Sequence, residues 1–469
     1  MKFRINNLGV IRNANVELTK KLTVFCGPNS SGKTYLSYII YALVSSNRKP
    51  FNVDLDKSIP KEDINKLIER KSIEMEIVPK EVLSHKNALV AYILRNLDSI
   101  FGISDEKVRL LFKDFNLQFI PSEEECAIRI QNLEFSCKMN IGSLAFTVVK
   151  ELGFKVSIEP DEVNNYSEEQ MMPVMGALIY MGVLGLITTY PILGASIFPV
   201  ERMSIYTFNK ELSINRHMLI DQVQRLAKNQ RINPFEFINQ RSKRYPLVIS
   251  QGLEVANDLV EIQKKEGPYF KLAEEIEQEI LDGKVSATKD GDVVFVSNKA
   301  GRSKKMQMPI HMTASIIKSL SSLIFHLKYL AQEDDLIIID EPEMNLHPNS
   351  QIILVQIFGK LLNRGLKLLI STHSDYVIRE LNNLIMAYSA KQKNTISGNI
   401  YCDDIVINKD DINVYYFPFR TKRHVDVQKI SVSEYGFAIP SIDKTINEQN
   451  LVAENLFFDL KYNDNERQL

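Results

Sequence analysis

Gly27 and Gly32 enclose four residues and are followed directly by Lys33 and Thr34, the spacing of a phosphate-binding P-loop. Glycines let such a loop turn tightly, so that successive N–H groups and the N-terminus of the next helix face anionic oxygens. Lys33 is placed to reach β- and γ-phosphates, and the Thr34 hydroxyl to ligate Mg²⁺. Asn29, Ser30, Ser31, Gly32, Lys33 and Thr34 are therefore candidate residues for binding a nucleoside triphosphate, with Thr34 also a candidate metal ligand.

Two further groups lie far downstream. Leu336-Ile337-Ile338-Ile339 ends in Asp340-Glu341-Pro342-Glu343. At that position Asp340 is expected to complete the metal shell and Glu341 to polarise the attacking water, since hydrolysis needs a positioned base beside the γ-phosphate. Leu366-Lys367-Leu368-Leu369-Ile370 is a second run, apolar but for Lys367, followed by Ser371-Thr372-His373-Ser374-Asp375. A neutral imidazole at His373 can hydrogen-bond a γ-phosphate or orient the lytic water. Each run alone also fits a buried strand ending in a polar turn; taken with the P-loop, the pair points to nucleotide chemistry.

These side chains need strands behind them and a helix after the loop. Lys21 to Cys26 reads as a buried strand, and Tyr35 to Tyr41 as the opening of a helix. The two downstream runs are continuous rather than alternating, as in parallel strands covered on both faces. Ahead of them, Ile316, Leu320, Leu323, Ile324 and Leu327 form one apolar stripe at helical spacing. Thr313 or Ser315 is expected to cap that helix and present a hydroxyl.

The P-loop, the apolar strand with Asp-Glu-Pro and the following Ser-Thr-His together resemble the ABC-type ATPase heads of the SMC, RecF and OLD proteins. Phe3 to Ile11, continuing to Leu18, is similar to the N-terminal strands of such heads, and Glu341-Pro342-Glu343-Met344-Asn345-Leu346-His347-Pro348 to OLD-like ATPases, many of them from anti-phage defence operons. The pattern is unlike AAA+ rings, whose second motif follows the P-loop much sooner. The resemblance covers both ends of the chain. It implies an ABC-type α/β fold: a mostly parallel P-loop sheet with an antiparallel β lobe and a helical insertion. It also implies Mg²⁺-dependent ATP binding and hydrolysis, and head-to-head association driven by ATP. Asp340 is then the metal ligand, Glu341 the catalytic carboxylate and His373 the γ-phosphate sensor. ABC-type heads place a Ser-Gly motif at a helix N-terminus that reaches a partner's nucleotide. Here Met312 to Ser319 is the matching stretch, without the glycine, and Ser315 or Thr313 is the residue expected to act in trans. The OLD likeness implies a sensor or regulatory subunit working with a separate effector nuclease, with DNA or a phage protein as a further partner. A RecF- or SMC-like repair or recombination ATPase binding DNA directly is the alternative. An ABC transporter subunit is disfavoured, because Leu-Ser-Gly-Gly-Gln is absent.

Composition bounds this reading. A length of 469 residues suffices for two or three domains. Apolar content of 45% with 25% charged residues describes an ordinary globular protein, and a net charge of −1 gives no basic field for nucleic acid. Cys26, Cys126, Cys137 and Cys402 lack metal-ligand spacing and read as reduced thiols of a cytoplasmic chain. Strand and P-loop begin almost at once, so no signal peptide is expected. Residues 170–200 carry no charge, enough for a bilayer span by length. Pro191 divides them, however, and acidic flanks at Glu168 and Glu169 offer no anchoring cluster. A buried helix followed by a strand is expected, and no membrane segment.

Along the chain, 1–47 is expected as the first ATPase lobe and 48–110 as a helical insertion. Residues 111–160 read as an antiparallel β part of that lobe, with Cys126 to Ile130 and Leu144 to Val149 as strands. Residues 161–300 read as a second helical insertion ending in a hairpin turned at Asp290-Gly291-Asp292. The segment 301–400 reads as the second ATPase lobe, and 401–469 as C-terminal strands and a helix capped by Ser441. Basic clusters at Lys228, Arg231, Arg241, Lys243 and Arg244, at Arg302, Lys304 and Lys305, and at Arg420 to His424 lack interleaved aromatics and are expected as solvated charge. No acidic triad of a fused Toprim nuclease is visible; Asp403-Asp404 and Asp410-Asp411 read as loop charge.

Overall fold

A computed structural model describes residues 1–47, 58–69, 71–141, 144–162, 172–208, 245–298, 307–393, 401–419 and 424–466. The strands are β1 (Lys2–Leu8), β2 (Ile11–Glu17), β3 (Leu22–Cys26), β4 (Ile73–Glu76), β5 (Asn116–Phe119), β6 (Phe135–Ile141), β7 (Leu144–Lys150), β8 (Lys155–Glu162) and β9 (Gly194–Phe198) in the first half. In the second half they are β10 (Gly283–Ala287), β11 (Val293–Ser297), β12 (Met308–Pro309), β13 (Asp335–Asp340), β14 (Lys367–Thr372), β15 (Ile412–Tyr416), β16 (Val425–Asp426) and β17 (Gln428–Ile430).

The central sheet has the order β17-β15-β3-β14-β13-β9. All neighbours are parallel except the edge strand β17. The apolar runs are continuous because both faces are covered. Leu22, Val24, Ile337, Ile339, Leu368 and Ile370 enter one core; Phe25, Leu336, Ile338 and Leu369 enter the other. Adjacent residues point to opposite faces, so a strand buried on both sides is apolar through its middle rather than alternating.

Beside this sheet lies a smaller one, β16-β2-β1-β5, with β1 antiparallel to β2 and β5. Of the block 111–160, β5 joins this sheet. Strands β6, β7 and β8 form a separate antiparallel sheet with β4, packed in their own core against the helix Met172–Thr189. Cys126 to Ile130, expected as a strand, belongs to the helix Glu123–Gln131. The reason is a capping box at its start: the Ser122 hydroxyl accepts the Glu125 N–H, and the Glu125 carboxylate accepts the Ser122 N–H. Cys126 and Ile130, four apart, then share the one buried face.

The uncharged stretch folds as expected into the Met172–Thr189 helix and β9. Among the described residues no helix is long and apolar enough to cross a membrane. The stretch from Leu253 to Leu281 is three short helices, Leu247–Asn257, Leu259–Ile262 and Phe270–Glu279. The hairpin of β10 and β11 follows, turned where the Thr288 N–H bonds the Asp292 carbonyl. The last helix runs Pro440–Glu466, so Ser441 lies inside its first turn rather than at its cap. The basic clusters from Lys228 to Arg244, from Arg302 to Lys305 and from Arg420 to Arg423 lie outside the described residues.

Candidate active site

Parallel pairing brings three chain segments to one end of the central sheet. Cys26 pairs with Thr372, and Ser371 with Asp340, so the P-loop, Asp340-Glu341 and His373 all leave from carboxyl ends of neighbouring strands. Open α/β sheets bind ligands there, because the loops after the strands converge.

The P-loop occupies residues 27–32 between β3 and the helix Lys33–Ser46. Gly27 has φ +146°, and a Cβ on it would lie 2.2 Å from the Phe417 carbonyl oxygen. Gly32 has φ +98° and leads directly into the helix. Lys33 is buried, and its ammonium donates to the Gly27 and Pro28 carbonyls at 2.8 and 2.9 Å. Burial lowers its pKa, against the opposing pull of Asp340 and Glu341. Asn29, Ser30, Ser31, Gly32, Lys33, Thr34 and Glu341 line one cleft of about 350 Å³.

The Thr34 hydroxyl donates to Asp340 Oδ2 at 2.6 Å, and the Ser371 hydroxyl donates to Asp340 Oδ1. Hard oxygen donors of this kind, one hydroxyl and one carboxylate with room for phosphate, suit Mg²⁺. Ser31 Oγ is buried without a hydrogen-bond partner. An orphaned buried hydroxyl in the loop that lines the cleft fits a phosphate oxygen.

Glu341 adopts φ +49°, and its N–H is held by the Ser371 carbonyl and hydroxyl oxygens at 3.0 and 3.2 Å. Burial raises its pKa, Asp340 and Glu343 push the same way, and His373 and Lys33 oppose. Glu341 also lines a second cleft of about 450 Å³, with Glu343, Gln351, His373 and Asp375 among its walls. His373 is half-exposed, its Nδ1 3.6 Å from both Glu341 Oε1 and Glu343 Oε1.

Two residues with clear places here were not singled out from sequence. Glu343 is buried; its Oε1 accepts the Thr372 hydroxyl at 2.7 Å and the His373 N–H at 3.0 Å, while Oε2 has no partner. A second carboxylate two residues beyond Glu341 was the available signal. Arg202, just after β9, donates to the Asp340 and Glu341 carbonyls at 2.6 and 2.8 Å. Only its charge at the end of an uncharged stretch marked it.

The helix expected to act in trans is Ser315–Tyr329, and its stripe of Leu320, Leu323, Ile324 and Leu327 is buried. Its cap is neither Thr313 nor Ser315: Ala314 holds the capping position with no side-chain bond. The Thr313 hydroxyl donates to the Ile310 carbonyl at 2.7 Å. Ser315 is the first helical residue, exposed, and lines neither of the two clefts.

A family model described as "AAA ATPase domain" matches residues 1–176 and 196–378. Among solved structures, the Smc head domain with an extended coiled coil bound to the C-terminal domain of ScpA, from Pyrococcus furiosus, is similar at 10% identity and a TM-score of 0.31. The match covers 96% of this chain and 98% of that one. The SmcHead bound to the C-winged helix domain of ScpA is similar at 10% identity and a TM-score of 0.35, over 92% and 97% of the two chains. At such scores neither lends this chain any residue or partner. No curated protein matches the chain.

Proposed function

The chain belongs to the AAA ATPase domain family, and on that premise we propose that it is a Mg²⁺-dependent switch ATPase whose nucleotide state controls association with a second copy. It is an ATPase built on a P-loop fold of ABC type. The observation that carries the finer reading is the convergence of Lys33, Thr34, Glu341 and His373 from three neighbouring strand ends onto two clefts that share Glu341, with the buried Asp340 bonded to Thr34.

Lys33 and the N–H groups of Asn29 to Gly32 hold the phosphates. Thr34 and Asp340 hold Mg²⁺, which when bound neutralises phosphate charge. Glu341, its carboxylate made more basic by burial, takes a proton from the attacking water as the new P–O bond forms and the bond to the ADP oxygen breaks. His373, its main-chain N–H held by Glu343, reports the presence of the γ-phosphate.

We place this switch in the sensor or regulatory subunit of a bacterial anti-phage system that works with a separate effector. Support comes from the OLD-like form of Glu341 to Pro348 and from the exposed Ser315 helix end, a surface available to a second head.

The test is the solution mass of Glu341→Gln with and without Mg·ATP, beside its turnover. Turnover is expected to fall roughly 10²- to 10⁴-fold, and mass to double with ATP unless Lys33→Ala is added. A mass indifferent to nucleotide removes the switch, and unchanged turnover removes Glu341 as the base.

A further inference from the structure

Arg202 is 2% exposed, deep enough that an unpaired guanidinium would cost several kcal/mol. Its five hydrogen bonds go to main-chain carbonyls and one hydroxyl: Pro199 O, Asp340 O, Glu341 O, Ser319 O and Ser319 Oγ. Burial lowers its pKa to about 10, with Asp340, Glu343 and Glu341 opposing, so it stays charged at neutral pH. A rigid planar fork with five N–H donors can bridge the end of β9, the Asp340-Glu341 turn and the Ser315–Tyr329 helix at once; a lysine cannot.

The turn needs such a grip. Glu341 is a non-glycine residue at φ +49°, a left-handed conformation that persists only where its surroundings impose it. Ser371 takes its N–H on one side, and Arg202 takes its carbonyl and the preceding one on the other. The same guanidinium holds Ser319, four residues beyond Ser315 on one helix. The Ser319 hydroxyl continues the link to the Met344 carbonyl at 3.2 Å. Behind it lies a cavity of about 70 Å³ lined by Pro199, Tyr206, Ser322 and His326 among others. His326 Nε2 is buried there without a hydrogen-bond partner.

We propose that Arg202 is a positioning residue for hydrolysis, fixing the Glu341 turn and tying it to the Ser315–Tyr329 helix so that displacement of that helix's exposed end re-aims the Glu341 carboxylate. This rests on Glu341 being the hydrolytic carboxylate. The link runs through a packed side chain and rigid elements, which carry coupling without any contact to nucleotide.

The experiment compares Arg202→Lys, Arg202→Met and Ser319→Ala with the parent for melting temperature, affinity for a fluorescent ATP analogue, and kcat as a function of pH. For Arg202→Lys, kcat is expected to fall roughly 10²-fold while nucleotide affinity stays within about threefold, because misplacement of a reacting group by about 1 Å costs that much. Ser319→Ala should lower kcat in the same direction, again with nucleotide affinity kept within about threefold. If Arg202→Met does not fold, Arg202→Lys and Ser319→Ala decide. Folded Arg202→Lys with parental kcat overturns the proposal, as does loss of affinity and kcat in equal measure. Glu341→Gln run alongside separates the two readings: if it turns over normally, the role of Glu341 fails whatever Arg202 does.

Discussion

The hydroxyl of Thr34 and the carboxylate of Asp340 meet at 2.6 Å although 306 positions separate them in the chain. One sits on the first turn after the P-loop, the other on the last residue of β13, and β14 lies between their strands. The contact reports the order β3-β14-β13, since it forms where β13 and β3 flank β14 in parallel. Asp340→Asn removes the charge and keeps the shape. We expect its affinity for Mg·ATP to drop about 10- to 100-fold, with affinity for ATP in EDTA unchanged. Titration of a fluorescent nucleotide in both buffers measures the difference.

Gly27→Ala should abolish nucleotide binding and lower the melting temperature. Its Cβ would meet the Phe417 carbonyl oxygen at 2.2 Å, and its φ of +146° admits few side chains. Gly153→Ala is the control: φ is +101° but nothing lies within 4 Å. It should leave nucleotide affinity intact and cost only the local strain of about 1 kcal/mol. Equal effects of the two in thermal denaturation would mean that close approach to the Phe417 carbonyl does not matter.

Glu341 gives a pH dependence of definite sign. Its pKa is raised in the fold, first by burial. Above the ordinary glutamate value the folded state therefore holds more protons than the unfolded one, and stability falls as pH rises through the folded pKa. Ionised Glu341 thus destabilises the protein at pH 8. Glu341→Gln should raise the melting temperature there by roughly 1–2 °C, and the gain should vanish near pH 4. A scan of melting temperature against pH for both proteins checks this; a gain that persists at low pH would assign it to something other than ionisation.

Lys328 and Glu277 form a buried pair at 2.7 Å, with side-chain exposures of 5% and 0%. Glu277 also accepts the Val285 N–H, and its second oxygen has no partner. Burial raises its pKa despite the lysine. Lys328→Met leaves that carboxylate uncompensated and should cost about 3–5 kcal/mol in urea denaturation. The double variant Lys328→Met with Glu277→Gln should recover much of the loss, since the penalty is the stranded charge. Additive losses in the double variant would show that packing, not charge, sets the cost.

Sequence alone determined the phosphate chemistry and the strands that carry it. Gly27 to Thr34 encodes a loop whose function follows from local backbone geometry, and Leu336 to Ile339 and Leu368 to Ile370 are apolar at every position because parallel strands are covered on both faces. Pro191 likewise marked where the uncharged stretch divides into a helix and β9. Local signals were misread where a helix's own chemistry was overlooked: the Ser122 and Glu125 capping box turns Cys126 to Ile130 into a helix, and Ala314 rather than a hydroxyl residue stands at the head of the Ser315–Tyr329 helix. Tertiary structure decided what depends on contacts remote in sequence. It decided that β6, β7 and β8 build a core apart from the nucleotide sheet, because their apolar faces pair with the Met172–Thr189 helix. It also decided that Arg202 reaches into the site: a buried guanidinium is legible only once the carbonyls that satisfy it, from Pro199, Ser319, Asp340 and Glu341, have been brought together by the fold.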